Sequence, residues 1–227
     1  MDPGRPGVPP ERVWYAAYGS NTDPARLGYY IAGGRPPGAA RNCPGCRDHR
    51  APRESVPVEL PGVLYFATES EVWSGGRAFY DPDVPGSVVR AHAHLITAGQ
   101  FADIAAQEMY RSPGTDLDLR TVLHEGRARL GPGRYETLIC PGLLDGLPVL
   151  TLTAPWQCAD MAWNRPSGTY LRHLAAGLRS ADAWDTGSVA RYLAGAPGAA
   201  GVWTAEAVEA LLSGAPGDDG PPGVGPG

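Results

Sequence analysis

Short apolar runs come first along this chain, and stripes of apolar residues at helical spacing follow. Apolar runs bounded by glycine and proline predict strands, whereas apolar positions three and four residues apart predict helices. Strands are expected at Val13–Ala17, Val56–Leu60, Val63–Phe66, Ala91–Ile96, Tyr135–Cys140 and Pro148–Thr153, with a hairpin turn at Asp145-Gly146. Helices are expected at Asp23–Ala32, Thr97–Met109, Leu117–Leu130, Ser167–Leu178, Asp185–Leu193 and Thr204–Leu212.

The order of these elements predicts the fold class. Strict alternation of strand and helix is absent, which disfavours a doubly wound sheet. The pattern instead predicts an α+β fold with a mostly antiparallel, barrel-like sheet and flanking helices. We expect a single domain over residues 13–212, between disordered ends at 1–12 and 213–227 that are rich in glycine and proline. Residues 35–54 are expected to form a long loop.

Composition and charge exclude several classes of partner. The 227 residues carry a net charge of −5, and no basic run is present, so nucleic acid is not expected as a partner. No apolar run approaches the roughly twenty residues of a membrane span. The N-terminal residues lack the apolar stretch of a secretory signal. A cytoplasmic protein that does not bind membranes is therefore expected, and the oligomeric state is left open.

The first candidate site lies where the first predicted strand ends. The strand stops at a glycine turn, made by Tyr18, Gly19, Ser20 and Asn21, and a helix is predicted to begin at Asp23. A strand that leads through such a turn into a helix presents free backbone N–H groups, which bind a carboxylate, a phosphate or an oxyanion. The alternative is a tight turn that binds no ligand.

The second candidate is an acidic residue on the helix predicted at Thr97–Met109. Phe101 and Ile104 mark its apolar stripe, and Glu108 lies seven and four residues further on, on the same stripe. Burial raises the pKa of a carboxyl group, which suits a general acid or base. Alternatively, Glu108 is paired with an arginine or has turned towards solvent.

Three further patterns are weaker. Cys43 and Cys46, with His49 close by, have metal-like spacing, but a structural zinc site needs four ligands. A reducible thiol pair or ordinary loop residues fit this spacing better, so no metal is predicted. His92 and His94 share one face of a strand without a metal-binding motif around them. Ser20 as a nucleophile lacks the glycine spacing and the partners of a hydrolase serine.

Taken together, these motifs resemble the γ-glutamyl cyclotransferase-like family. Its strand ending in Tyr-Gly-Ser-Asn is matched at residues 18–21, although Thr22 stands where leucine is usual. Further matches, in the family's order, are Trp73-Ser74-Gly75-Gly76, Gln107-Glu108, Tyr135 and Pro166-Ser167 with Tyr170. Met109 replaces the glycine that usually follows the glutamate. The loop at 35–54 and the segment 110–132 are longer than in compact members, which leaves substrate choice open.

The resemblance implies a reaction as well as a fold. Members cleave a γ-glutamyl amide by attack of its own α-amine, which gives 5-oxoproline and a free amine without a cofactor. Glu108 would be the general acid/base; Tyr18, Gly19, Ser20, Asn21, Trp73, Gly75, Gly76, Tyr135 and Tyr170 would bind the substrate. The substrate would be a γ-glutamyl amino acid or a γ-glutamylated metabolite of secondary metabolism. An amide hydrolase, an acyltransferase and a non-catalytic binding module are the alternatives.

Overall fold

The computed structural model describes residues 10–36 and 42–214. The ends predicted to be disordered lie outside the described residues, apart from 10–12 and 213–214. Part of the predicted loop at 35–54 lies outside them as well. The rest of that loop, residues 42–54, contains neither helix nor strand, as predicted.

Eight strands and six helices make up the described chain. The strands are β1 Arg12–Ala17, β2 Ser55–Pro61, β3 Val63–Ala67, β4 Arg77–Asp81, β5 Val88–Thr97, β6 Arg127–Arg129, β7 Thr137–Leu144 and β8 Leu147–Thr153. The helices are α1 Pro24–Ala32, α2 Ala98–Glu108, α3 Arg120–Glu125, α4 Gly168–Arg179, α5 Thr186–Ala194 and α6 Ala205–Leu212. Single 3-10 turns lie at Ser20–Thr22 and Cys158–Asp160.

The sheet confirms the predicted α+β class but not the barrel. Six strands pair in the order β2-β5-β1-β8-β7-β6, and β3 and β4 form a separate antiparallel pair. β1 and β8 run parallel, whereas β8, β7 and β6 are antiparallel neighbours. Closing a sheet requires its two edge strands to pair. Here the edges are β2 and the three-residue β6, and the sheet is not closed.

Two predicted elements differ in the structure. The helix expected at Leu117–Leu130 is the short α3, and it ends because Gly126 adopts a left-handed conformation with φ of 77°. The chain then continues as β6. Strand β4, in which all five residues are buried, was not predicted. Its charged first and last residues leave an apolar run of only three residues.

Close packing divides the chain into two compact units. The first contains the chain up to Ala16, Leu27–Ser55 and Ala93–Pro155. The second contains Ala17–Arg26, Val56–His92 and the chain from Trp156 onwards. The prediction of a single domain stays a prediction.

In the first unit, α2 buries its apolar stripe. Phe101, Ile104 and Ala105 are fully buried, and the ring of Phe101 lies 5.9 Å from that of Tyr15 on β1. The helix begins with a capping box: the Thr97 hydroxyl accepts from the backbone N–H of Gln100, and the Gln100 side chain accepts from that of Thr97. The predicted start of this helix is therefore confirmed.

In the second unit, three helices bury apolar stripes together. Leu171 and Leu174 of α4, Val189 and Leu193 of α5 and Val208 of α6 are all buried. Each helix has an N-cap side chain that accepts from a backbone N–H in its first turn: Ser167, Asp185 and Thr204. These caps fix where α4 begins, and α4 carries several residues of the candidate site.

Candidate active site

The turn that follows β1 is a short 3-10 helix. The Gly19 carbonyl accepts from the Thr22 backbone N–H at 3.0 Å and from the Thr22 hydroxyl at 2.9 Å. Tyr18 and Asn21 are buried, and Ser20 is half-buried. The first N–H groups of a helix have no carbonyl acceptor within that helix, and the binding of an anion by those of this turn stays a prediction.

Tyr170 connects this turn with two other elements of the second unit. Its hydroxyl accepts from the Ala78 N–H at 3.3 Å and lies 3.8 Å from where a Cβ atom on Gly19 would stand. Its ring stacks on Trp73, with 5.2 Å between ring centroids. Three sequence motifs, those of Gly19, Trp73 and Tyr170, therefore meet in one place.

Helix α4 approaches the same turn with His173 and Gly177. The Nε2 atom of His173 lies 2.9 Å from the Ser20 carbonyl oxygen, a contact that requires this nitrogen to carry the proton. A Cβ atom on Gly177 would lie 2.4 Å from the Thr22 hydroxyl and 2.8 Å from the Asp23 nitrogen. Only glycine permits this close approach of the helix to the turn.

The turn at Trp73–Gly76 lies against the chain that leads into α4. Gly75 has a φ of 78°, and a Cβ atom there would lie 2.4 Å from the Arg165 carbonyl oxygen. The Gly76 N–H donates to that same carbonyl at 2.6 Å. The Ser167 hydroxyl donates to the Trp73 carbonyl at 2.6 Å. Both glycines are therefore required by backbone contact.

Glu69 holds this turn and was not identified from the sequence. Its carboxylate accepts from the Gly75 N–H and, at 2.7 Å, from the Asn164 side-chain amide. These hydrogen bonds, that of Gly75 first, lower the pKa of Glu69. No local pattern marks Glu69, because its partners lie on two separate segments.

Glu108 is the last residue of α2, in the first unit. It is half-buried, less buried than its place on the apolar stripe predicts, because the helix ends there. The preceding residue fixes that end, since the Gln107 amide donates to the Tyr30 carbonyl at 2.9 Å and to that of Asp103 at 3.2 Å. The last turn of α2 is thereby held on α1.

Tyr135 also lies in the first unit, two residues before β7 rather than at its start, and is half-buried. Its neighbour Glu136 is buried, pairs with Arg111 and accepts from the Gly133 N–H at 2.7 Å. Arg111 lies just beyond the end of α2. The ion pair therefore ties the segment of Tyr135 to the chain that follows Glu108.

The histidines of β5 and the thiol of Cys46 make contacts that are typical of the protein interior. The His92 Nδ1 atom lies 3.1 Å from the Thr22 carbonyl oxygen, and the His94 Nδ1 atom lies 2.8 Å from the Ser55 hydroxyl. Burial, followed by the charge of Asp103, raises the pKa of the Cys46 thiol to about 12. Among the described residues, no group of three or more histidine, cysteine or acidic side chains could hold a metal ion.

No helix in the described part of the chain combines the length and the hydrophobicity needed to cross a lipid bilayer. No protein-family model matches the sequence. Histone deacetylase 5 of Arabidopsis thaliana is 33% identical over 184 residues, which cover 73% of this chain but 28% of that protein. The chain therefore spans little more than a quarter of the length of this relative.

Two solved structures resemble the chain. One, of an uncharacterized human protein, has a TM-score of 0.51 and 15% identity, and the match covers 90% of this chain and 99% of the other. The other, of a γ-glutamyl cyclotransferase, has a TM-score of 0.49 and 14% identity and covers 89% and 99%. At this identity the likeness shows the fold alone. The chain therefore shares the fold of the uncharacterized human protein.

Proposed function

We propose that the protein cleaves a γ-glutamyl amide without a cofactor. The α-amine nitrogen of the glutamyl group attacks its own γ-carbonyl carbon, and the amide C–N bond breaks. The products are 5-oxoproline and a free amine. The amine partner of the substrate is open: a γ-glutamyl amino acid or a γ-glutamylated small metabolite both fit the chemistry.

One observation carries the proposal: the close packing of Gly19, Trp73 and Tyr170 in the second unit. An intramolecular attack needs a site that folds the substrate so that amine and carbonyl meet. Preorganisation of this kind corresponds to effective molarities on the order of 10⁵–10⁸ M. A turn held by backbone hydrogen bonds and stacked aromatic rings is rigid enough to supply it.

The backbone N–H groups of Gly19, Ser20 and Asn21 are proposed to bind the oxyanion and the glutamyl carboxylate. Charge that develops on the carbonyl oxygen is stabilised by donors that are already in place. Loss of one such donor typically costs about 2.7–4 kcal/mol of barrier height. His173 supports this role, because its contact with the Ser20 carbonyl holds the turn in position.

Glu108 is proposed to make both proton transfers. The α-amine arrives as an ammonium ion and must lose a proton before it attacks, and the leaving amine must gain one. A single carboxyl group serves both steps in turn. The assignment rests on the family motif and on the half-buried position of Glu108 at the fixed end of α2. Tyr135 is proposed to contact the substrate.

Replacement of Glu108 by glutamine tests this assignment. The change removes the ionisable group but keeps the shape of the side chain. We expect 5-oxoproline release from a γ-glutamyl amine to fall by about 10²–10⁴-fold, the usual contribution of a general acid/base, with the thermal midpoint unchanged. Release is measured by chromatography of the product.

Glu125→Gln is the matched control, because Glu125 also ends a helix, α3, and is exposed. Both substitutions therefore remove a carboxylate from the same kind of helix position. The control variant is expected to keep wild-type turnover. Undiminished turnover in Glu108→Gln would remove Glu108 from its proposed role, and wild-type protein that releases no 5-oxoproline from any γ-glutamyl amine would contradict the proposed function.

A further inference from the structure

The side chain of Arg26 occupies an unusual position beside the candidate site. Arg26 lies in the first turn of α1, five residues after Asn21. Its guanidinium carbon lies 5.1 Å from the centroid of the Trp73 ring. Its Nε atom is buried without a hydrogen-bond partner, and no carboxylate of the described residues lies within ion-pair distance.

Two features of this arrangement oppose folding, although the cation–π contact with Trp73 is favourable. A cation in the first turn of a helix faces the positive end of the helix dipole, which is unfavourable. A buried donor without a partner also costs free energy. What the arrangement does provide is a guanidinium within cation–π distance of an aromatic ring. In that position its in-plane N–H groups remain able to bind a planar anion through two parallel hydrogen bonds.

The groups around Trp73 give Arg26 no ion-pair partner among the described residues. The His173 ring stacks on Trp73 at 4.9 Å, and burial lowers the pKa of His173, so this histidine is neutral near pH 7. Asp23 is the acidic residue of this cluster. Its carboxylate accepts from the Ala25 N–H at 2.9 Å and lies 3.8 Å from the His173 Nδ1 atom. A guanidinium left in this state matches a carboxylate from the ligand.

We propose that Arg26 binds the α-carboxylate of the γ-glutamyl group and thereby restricts the substrate to γ-glutamyl amides with a free α-carboxylate. This inference rests on the proposed function, since it concerns the same substrate. It adds a charged side-chain contact to the backbone N–H groups of the turn. It also explains why Arg26 and Trp73, which are distant in sequence, lie in contact.

Binding of two unreactive probes tests the inference. N-methylglutaramic acid carries the carboxylate and the amide but lacks the α-amine, so it cannot cyclise. N-methylglutaramide has a carboxamide in place of the carboxylate. We expect calorimetry to show that the wild-type protein binds the acid about tenfold or more tightly than the amide. In Arg26→Gln this ratio should fall severalfold, with the affinity for the amide unchanged, and the N–H groups of the turn should retain the remaining preference for the acid.

Two further variants serve as a control and as a charge-conserving substitution. Arg179→Gln removes an exposed arginine at the end of α4 and should keep the wild-type ratio. Arg26→Lys keeps the charge but loses the planar pair of donors, so its ratio should lie between those of the wild type and Arg26→Gln. It also serves if Arg26→Gln does not fold. Weak binding of both probes by the wild-type protein, or a wild-type ratio in Arg26→Gln, would overturn the proposal.

A separate assay of 5-oxoproline release distinguishes the two claims. If Arg26 determines the probe ratio but no γ-glutamyl amine releases 5-oxoproline, the anion site stands and the proposed reaction fails. If 5-oxoproline is released and Arg26→Gln retains the probe ratio, the reaction stands and the role of Arg26 is wrong.

Discussion

Two helices of this protein pack against irregular segments, and they do so in opposite ways. In the second unit, α4 meets the turn after β1 through the close approach of Gly177 and the contact of His173 with the Ser20 carbonyl. In the first unit, α2 meets residues 46–50 through charged and amide side chains. Both contacts satisfy backbone groups of a segment that has no regular structure. Their difference is one of chemistry: close backbone approach in one case, ionic hydrogen bonds in the other.

The contact in the first unit depends on Asp103. Its side chain is 1% exposed and accepts from the Arg47 side chain, the Arg47 N–H at 2.8 Å and the Gly114 N–H at 3.0 Å. Burial alone would raise the pKa of Asp103, but the hydrogen bonds from Arg47 and Gly114 outweigh it and lower the pKa. Gln100 adds bonds to two loop carbonyls, at 3.1 and 2.7 Å.

The two contacts differ in how far they can be inferred from the sequence. A close backbone contact needs glycine, as Gly177 shows. The turn that Gly177 meets carries a short motif of its own, which contains Gly19. An ionic contact needs two charged residues at a distance along the chain, here 56 residues apart. Nothing local in the sequence pairs them. Gly19, in the turn, was singled out from its motif, whereas Gly177 and the pair of Arg47 and Asp103 were not.

Removal of the Asp103 carboxylate should have the largest effect on stability. Asp103→Ala removes the buried carboxylate that accepts from the Arg47 side chain and from the backbone N–H groups of Arg47 and Gly114. Because several hydrogen bonds to a charged group are lost together, we expect a loss of about 3 kcal/mol in the free energy of unfolding. Urea denaturation measures it. Asp118→Ala is the control, because Asp118 pairs with Arg120 in an exposed ion pair, whose loss should have a much smaller effect. Equal losses in the two variants would show that burial of the Asp103 carboxylate does not contribute to stability.

A methyl group at Gly177 should have the next largest effect. In Gly177→Ala the new Cβ atom meets the turn at Thr22 and Asp23, and we expect a loss of about 2 kcal/mol. Gly28→Ala makes the same change in α1, where no atom lies within 4 Å of the new Cβ atom. That control should gain about 0.8 kcal/mol from helix propensity. A gain of stability in both variants would contradict the close contact between α4 and the turn.

Protonation of His173 should have the smallest effect. Burial lowers the pKa of His173 in the folded state, while Asp23 raises it and Arg26 lowers it to lesser degrees. Below pH 6.5 the unfolded chain therefore binds more protons at this residue than the folded protein does. The contribution of His173 to stability should accordingly be complete well above pH 6.5 and fall as the pH drops below it.

Urea denaturation of the wild type and His173→Gln at several pH values tests this sign. Glutamine keeps a donor for the Ser20 carbonyl but does not titrate. The free energy of unfolding of the wild type, relative to the variant, should fall on acidification. A constant or growing difference would show that His173 is not held neutral in the fold.

Much of the fold was predictable because local rules determine it. The capping box at Thr97 and the turn at Asp145-Gly146 mark the start of α2 and the hairpin of β7 and β8, and both are confirmed. The prediction of a barrel-like sheet was wrong, because strand pairing depends on tertiary packing and cannot be inferred from the pattern of apolar residues. The predicted length of α3 was wrong, although a glycine at position 126 is the residue type that commonly ends a helix.

The candidate site was predictable to the extent that it consists of motifs. Gly19, Trp73 and Tyr170 come from three such motifs and lie together in the second unit. Arg26 and His173 were missed, because their significance comes from the Trp73 ring on which both lie. Contacts of this kind join residues through space and leave no spacing to detect.

The fate of water in the reaction distinguishes ring closure from hydrolysis. Purified protein is incubated with a γ-glutamyl amine in water enriched in heavy oxygen, and the products are weighed by mass spectrometry. Intramolecular attack predicts unlabelled 5-oxoproline in an amount equal to the released amine, because no water enters the bond that forms. Glutamate carrying heavy oxygen, with no 5-oxoproline, would contradict the account and favour a hydrolase.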